Sequence, residues 1–155
     1  MRIELRLDWA PPHSVTRKDF KLPACHSLFE EYVERINRFV PCKTSGTPGE
    51  KFSKERGVKI WVCEAGKGSQ SLTSEEVSSR LGKVTDSGAK AIWIVIGGPD
   101  GFSREKLEAW QPDLKWSFGP LTLPHELAAV VAAEQMYRAW TILRRHPYHC
   151  AHRSP

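Results

Sequence analysis

The run Ala91–Ile96 constrains the fold of this chain more than any other segment, because all six of its residues are apolar. A strand with one face in solvent alternates polar and apolar residues, whereas a central strand of a parallel sheet is apolar throughout. The run therefore predicts a strand that is covered on both faces. Gly97, Gly98 and Gly101 follow it directly. A glycine loop at the carboxyl end of such a strand lets a ligand approach the backbone closely.

Hydrophobic spacing along the rest of the chain predicts alternating strands and helices. Ile3, Leu5 and Leu7 share one face of a predicted strand at Arg2–Asp8. The capping signature that begins at Thr73 predicts a helix that stops near Gly88. The other predicted elements are helices at His26–Val40, Ser103–Trp110 and His125–Arg145, strands at Val58–Cys63 and Leu114–Phe118, and at most a short strand at the start of Cys42–Gly57. This alternation is typical of the α/β class, with a mainly parallel sheet and helices on both faces.

The length of 155 residues fits one domain with a sizeable core, and we expect a single domain over residues 1–155. No apolar run approaches the about 20 residues of a membrane span, and the N-terminal residues lack the features of a signal peptide. These observations predict a cytoplasmic protein without a membrane partner. The net charge of +5 and the isoelectric point of about 9.1 permit a polyanionic partner without proving one.

The four cysteines are Cys25, Cys42, Cys63 and Cys150, and no two of them form a CxxC pair. Without such a pair a zinc ribbon is disfavoured, and we expect free thiols. The tail residues His146, His149, Cys150 and His152 have metal-binding chemistry, but a short tail offers no rigid outer shell to hold the ligands. We therefore expect no metal site.

The glycines after Ile96 are spaced as GGxxG, which differs from the GxGxxG pattern of a dinucleotide-binding loop. The segment GKGS at Gly66–Ser69 resembles the end of a phosphate-binding loop, but the leading glycine of that motif is missing. Both nucleotide-binding functions are therefore disfavoured. Taken alone, GGPDG indicates no more than a tight turn between a strand and a helix.

Three segments together carry a family resemblance: IGGPDGF, SFGPLTLPHELAAVVAAEQMYRAW and HPYH. In their order and spacing they resemble the RlmH family, small SPOUT-class methyltransferases that modify a pseudouridine of the large-subunit ribosomal RNA at N3. The resemblance is close from about Lys59 to His149. It implies a C-terminal trefoil knot with a core at about 58–149, which is a rare exception to the rule against threaded chains. It also implies that the loops after Cys63, Ile96 and Phe118 converge.

The resemblance further implies a binding site for S-adenosylmethionine. An adenine needs apolar walls together with backbone donors and acceptors, which these segments can supply. The implied cofactor-binding residues are Val62, Gly97, Gly98, Gly119, Pro120, Leu121, Thr122, Leu123 and Pro124. The family more often has leucine at the position of Val62.

Four residues match family positions implied to act in catalysis: His125, Arg138, Tyr148 and His149. The cofactor carries an activated methyl group, so the protein must mainly align donor and acceptor and help the N3 proton to leave. Structural roles stay open for each residue. His125 begins a helix, Arg138 has Glu134 as an ion-pair partner four residues earlier, and Tyr148 and His149 lie in a terminal tail.

The resemblance implies a symmetric homodimer whose pocket is completed by the partner's tail, and an rRNA substrate within the ribosome, with no DNA partner. We expect the dimer contact on the long helix, at the small, apolar face that includes Ala129, Ala133 and Met136. The alternatives are a related knotted tRNA methyltransferase and a non-catalytic basic RNA-binding protein of the same fold. Two departures from the family are the tail Cys150–Pro155 and the short connection Cys42–Gly57.

Overall fold

A computed structural model describes residues 1–49 and 52–150, without the side chain of Cys150. The tail His152 and most of the extension after His149 lie outside the described residues. The strands are β1 (Arg2–Leu7), β2 (Cys42–Gly46), β3 (Val58–Cys63), β4 (Gln70–Ser71), β5 (Ala91–Ile96) and β6 (Leu114–Ser117). The α-helices are α1 (Pro23–Asn37), α2 (Ser74–Asp86), α3 (Arg104–Trp110), α4 (His125–Leu143) and α5 (Pro147–Cys150), and a 3-10 turn spans Arg17–Asp19.

The strands form one sheet in the order β2-β1-β5-β3-β6-β4, and every pair of neighbours is parallel. Strand β5 lies between β1 and β3, and all six of its residues are buried. The central position predicted from the apolar run is therefore confirmed. Since all strands run the same way, their carboxyl ends meet at one edge, where α/β proteins bind ligands.

Helices cover both faces of this sheet, as the alternating pattern predicts. The residues Ile92, Ile94 and Ile96 of β5 face a core formed with α1, α2 and α4. Ala91, Trp93 and Val95 face the opposite side, where they pack with Trp110 and Leu107 of α3. Within the described residues, no helix combines the length and apolar character needed to cross a bilayer.

The two outermost strands are short. Strand β2 is the short strand predicted at the start of Cys42–Gly57, and it pairs with β1. Strand β4 was not predicted, because its two residues are exposed and carry no apolar pattern. Its pairing of Gln70 and Ser71 with Trp116 and Ser117 of β6 defines it as a strand.

Helix α4 ends at Leu143, two residues before the predicted end. The N–H of His146 donates to the carbonyl of Thr141 and the N–H of Arg145 to that of Ile142. With Arg145 in the left-handed region at φ 54°, these bonds form a Schellman motif that stops the helix. The chain then reverses, and α5 packs back against α4.

The predicted dimer face of α4 is wrong. Ala129, Ala133 and Met136 are each 0% exposed, and they belong to the core between the helices and the sheet of the same chain. An apolar stripe of small residues fits a core as well as an interface, and here it packs against the chain's own helices. Apart from His125 at its first position, the side chains of α4 that keep some exposure form another stripe at spacings of one to four residues: Leu127, Ala128, Val131, Glu134, Gln135, Arg138, Ile142 and Leu143.

Candidate functional site

A pocket of about 660 Å³ opens at the carboxyl edge of the sheet. Its walls come from three segments that are far apart in sequence: the chain after β3, the glycine loop after β5, and the loop between β6 and α4. The lining residues include Cys63, Glu64, Gly97, Gly98, Phe118 and Leu121. The three loops that the family resemblance brings together therefore line one pocket.

The glycine loop forms one wall and is held in a tight turn. The N–H of Gly101 donates to the carbonyl of Gly98 at 3.0 Å, and Gly101 has φ 71°, which favours glycine. A Cβ atom at Gly97 would lie 3.3 Å from the ring of Phe102. The loop can follow this path with its backbone exposed to the pocket because these positions lack side chains.

The loop that leads into α4 forms the opposite wall. Leu121, Thr122, Leu123 and Pro124 line the pocket, and Leu121 is 74% exposed. The neighbouring Gly119 and Pro120 line a smaller cavity of about 360 Å³, which shares Ala65 with the main pocket. Val62 is fully buried on the α3 side of the sheet, so that Cys63, the next residue, lines the pocket instead.

His125 joins the pocket wall at the first turn of α4. Its ring packs edge-on against Trp9, with 4.6 Å between the centroids, and Nε2 lies 3.6 Å from Oε2 of the buried Glu126. Trp9 is itself fixed, because its Nε1–H donates to the carbonyl of Asp19 at 2.9 Å. Of the four predicted catalytic side chains, His125 alone reaches this pocket within the described chain.

Arg138 and Tyr148 meet at a second polar centre around Glu134. The guanidinium of Arg138 donates to Oε1 of Glu134 through Nε at 2.9 Å and Nη2 at 2.6 Å. The phenol of Tyr148 donates to the same oxygen at 3.0 Å. Glu134, named from the sequence as an ion-pair partner of Arg138, thus links two of the predicted catalytic residues.

His149 extends this centre to helix α2. Its Nδ1 lies 3.0 Å from Nη1 of Arg138, and its Nε2 lies 2.9 Å from Oε1 of Glu75. The side chain is only 14% exposed. Tyr148 and His149 are therefore not part of a frayed end, since α5 holds His149 between a cation and a carboxylate.

Burial affects the acid–base properties of groups at both places. Desolvation raises the pKa of Tyr148 above its usual range, and the hydrogen bond with Tyr32 and the nearby Glu134 raise it further. Tyr148 is thus a neutral hydrogen-bond donor at physiological pH. Desolvation likewise raises the pKa of Cys63 in the pocket wall, which keeps that thiol protonated and unreactive.

The pocket and the Glu134 centre are separated along α4. His125 and Arg138 are thirteen residues apart, which corresponds to roughly 20 Å along the helix axis. The side chains predicted to act together therefore form two groups within one chain, His125 at the pocket, and Arg138, Tyr148 and His149 at the other centre.

Sequence reasoning did not identify two residues that hold the predicted ones in place. Trp9 contacts His125 across 116 residues of sequence, and Glu75 contacts His149 across 74. Neither belongs to a motif, and long-range contacts of this kind leave no local signal. The capping pattern at Thr73 placed Glu75 in the first turn of α2, which was the only hint of its position.

A parallel α/β sheet with a glycine-loop pocket at its carboxyl edge defines a ligand-binding protein of the α/β class. A family model described as "Predicted SPOUT methyltransferase" matches residues 15–149. The chain belongs to this SPOUT methyltransferase family, and membership implies a methyl-donor cofactor. The matched segment covers most of the chain, so both the glycine loop and the tail histidine lie within it.

Several relatives are named "Ribosomal RNA large subunit methyltransferase H". That of Syntrophobacter fumaroxidans is 34% identical over 146 residues, covering 82% of this chain and 91% of the relative. That of Koribacter versatilis is 37% identical over 138 residues, covering 85% and 92%. That of Methylocella silvestris is 54% identical over 78 residues, and this match spans about half of each protein, 50% and 48%. The resemblance to the RlmH family is therefore confirmed.

A solved structure, that of a probable methylase family protein from Haemophilus influenzae Rd KW20, aligns over 97% of this chain and 68% of its own. The TM-score is 0.47 and the identity 11%, which is too distant a likeness to support an inference about function.

Proposed function

We propose that this protein is an S-adenosylmethionine-dependent methyltransferase that acts at N3 of a pseudouridine in 23S-type ribosomal RNA, on assembled ribosomes. The observation that carries the proposal is the convergence of three loops on one pocket of about 660 Å³. Family membership and the names of the relatives support the same reaction and substrate class.

The residues of the pocket fit the proposed cofactor. Leu121, Leu123 and Ala128 offer apolar surface for an adenine, and the pocket volume lies within the range of small-ligand sites. Gly97 and Gly98 let a ligand contact the backbone directly. When bound, S-adenosylmethionine supplies a methyl group already activated on a sulfonium, so transfer needs no metal.

The predicted catalytic residues suit the acceptor side of this reaction. The imidazole of His149 can accept the proton that leaves N3, since a neutral imidazole has one ring nitrogen without hydrogen. Arg138 has donors directed away from Glu134 that can stabilise the developing anion. Tyr148 and His125 contribute as orienting groups, one through Glu134 and the other at the pocket wall.

We propose a homodimer in which the partner's tail completes each pocket. The exposed stripe of α4 is apolar near Leu127 and Val131 and polar near Glu134 and Arg138. In an isologous dimer the two α4 helices can pack antiparallel, with Val131 of each protomer at the two-fold axis. Arg138 of one protomer, seven residues after Val131, then lies opposite Pro124 of the other, seven residues before it. Such a contact brings the Glu134 centre of one protomer to the pocket of the other, which removes the separation of roughly 20 Å.

Two further expectations belong to this proposal. One is that residues 1–155 form a single domain whose core at about 58–149 is threaded as a trefoil knot. The other is a cytoplasmic location, where ribosomes are found. The convergence of the chain after β3, after β5 and after β6 supports the knotted arrangement.

Transfer of radiolabelled methyl groups from S-adenosylmethionine tests the function. We expect incorporation into large subunits or 70S ribosomes from a strain lacking the endogenous modification, with little into tRNA or free rRNA. Nuclease mapping should locate the label at a pseudouridine. Label only in tRNA would support the related tRNA methyltransferase, and RNA binding without any label would support the non-catalytic alternative.

A further inference from the structure

We propose that Glu75 is a positioning residue for His149. Glu75 holds Nε2–H, so Nδ1 is the ring nitrogen with the free electron pair; this nitrogen accepts an N–H of Arg138 in this structure and can take a proton once that bond opens. The catalytic role of Glu75 rests on the proposed function. The hydrogen bond between Glu75 and His149 can be tested independently of that function. Glu75 lies in the first turn of α2, and no motif or family feature described above assigns it a role.

The hydrogen-bond partners of His149 define which nitrogen carries hydrogen. Arg138 has donors only, so Nδ1 at 3.0 Å from its Nη1 must be the acceptor. A carboxylate has acceptors only, so Nε2 at 2.9 Å from Glu75 must be the donor. One arrangement satisfies both contacts, the tautomer with hydrogen on Nε2. Because the hydrogen bond at one nitrogen determines the state of the other, Glu75 and Arg138 both favour this tautomer.

Glu75 is presented from a rigid helix end. The hydroxyl of Thr73 accepts the N–H of Glu76 at 3.1 Å and caps α2. The hydroxyl of Ser74 donates to Oε1 of Gln135 at 2.8 Å, which ties this turn to α4. The Glu75 carboxylate therefore has a defined place relative to Arg138, although its side chain is 52% exposed.

Within the part of the chain that the structure describes, the charged and titratable groups around His149 come from three helices. They are Glu75 of α2, Glu134 and Arg138 of α4, and Tyr148 of α5. Glu134 is occupied by Arg138 and Tyr148, so that Glu75 is the carboxylate bonded to the ring itself. Without Glu75, one of the two bonds that fix the ring is lost, so the ring can rotate about its contact with Arg138 and the other tautomer gains population.

Kinetics of the full-length protein test the role. We expect Glu75→Ala to lower kcat roughly 10–100-fold, less than the roughly 10²–10⁴-fold loss expected for His149→Ala, with the KM for S-adenosylmethionine unchanged. Glu75→Asp should restore part of the rate. Glu76→Ala is the matched control, because it removes the same charge from the same turn without a contact to His149.

The double variant separates positioning from a general structural effect. If Glu75 acts through the imidazole, Glu75→Ala should cause no further loss in the His149→Ala background. Equal losses in both backgrounds, or full activity of Glu75→Ala, would overturn the proposal.

Nitrogen-15 NMR of the imidazole tests the hydrogen bond without any turnover. The His149 signals, assigned by their loss in His149→Ala, should report hydrogen on Nε2 in the wild type and a mixed tautomer population in Glu75→Ala. Unchanged signals in Glu75→Ala would refute the role of Glu75 even if methylation is observed. If the wild type methylates no RNA, the proposed function is refuted. The NMR result then still decides whether Glu75 holds the imidazole of His149.

Discussion

Gly97 and Gly98, which are adjacent in the pocket wall, differ in the space that a side chain would have. A Cβ atom at Gly97 would lie 3.3 Å from Phe102, tighter than most real contacts, whereas one at Gly98 would lie 3.8 Å from Cβ of Trp9, an ordinary contact. Gly98 also lacks the left-handed backbone that Gly101 has. A larger residue at Gly98 is thus compatible with the fold, and its effect should be confined to the pocket.

Gly98→Val should therefore give a folded protein that binds S-adenosylmethionine roughly 10–100-fold more weakly, because its methyl groups crowd the proposed site. Calorimetry measures the affinity, and circular dichroism verifies the fold. The matched control is Gly49→Val, since a Cβ at Gly49 meets no described atom within 4 Å. Unchanged affinity in Gly98→Val would show that the cofactor binds elsewhere.

The buried thiol of Cys42 makes stability depend on alkaline pH. Desolvation raises its pKa from 9.0 to about 12, so the folded state holds the thiol proton more tightly than the unfolded chain does. Its contribution is fully present below pH 9 and is lost as the pH rises towards 12. We expect Cys42 to steepen the fall in unfolding free energy over this range by up to about 1.4 kcal/mol per pH unit.

Denaturant unfolding at pH 8, 9, 10 and 11 checks this prediction, and Cys42→Ala is the comparison. The variant will be less stable throughout, so the slope against pH is the quantity to compare. Cys63 and Tyr148 also have raised pKa values, and their contribution remains in both proteins. Identical slopes for the two proteins between pH 9 and 11 would show that Cys42 is not the cause.

The sequence predicted the site residues that belong to motifs better than the residues that hold them in place. Gly97, Gly98 and His125 were predicted from motifs, and all three line the pocket. Val62 was predicted from the same resemblance, yet the alternation of side chains along β3 directs it to the opposite face. Trp9 and Glu75 could not be predicted, because their contacts depend on how distant elements pack.

At the scale of elements, apolar patterns predicted the centre of the fold better than its margins. The bounds of β3 and β5 agree with prediction because each is a short run rich in β-branched apolar residues next to a glycine, Gly57 before β3 and Gly97 after β5. Strand β4 has no such signal. Helix α4 was predicted in place but not in orientation, since it is apolar around most of its circumference and its periodicity does not distinguish core from interface.

Two neighbouring substitutions on α4 test its orientation. Val131→Glu lies on the half-exposed stripe and should leave each chain folded while splitting the proposed dimer. Ala133→Glu places a charge among residues that are 0% exposed and should unfold the chain, because a buried unpaired charge costs several kcal/mol. Sedimentation and thermal melting distinguish the outcomes. A folded Ala133→Glu monomer would restore Ala133 to the interface, and a dimeric Val131→Glu would move the contact off this stripe.

At the scale of the whole molecule, the pocket and the Glu134 centre lie far apart on one chain. If each active site combines the pocket of one chain with the tail of its partner, a dimer of two different inactive variants should regain activity. Gly98→Val disables the pocket when the S-adenosylmethionine concentration is held well below the Kd of the variant, and His149→Ala removes the tail group. In a mixed dimer with shared sites, one site combines both defects. The other combines the intact Gly98 of one chain with the intact His149 of its partner, so it should be active. Each variant alone should be nearly inactive.

Mixing the two variants after reversible dissociation should therefore restore methylation. With random exchange, half of the dimers are mixed and one of their two sites is intact, so activity should approach about a quarter of the wild-type value. A mixture of Gly98→Val with the double variant Gly98→Val/His149→Ala is the control and should stay inactive, since no intact pocket is present. If the first mixture also stays inactive although mass spectrometry detects mixed dimers, then each site uses its own tail. In that case α5 must leave Glu75 and Arg138 and cross roughly 20 Å along its own α4 to reach the pocket.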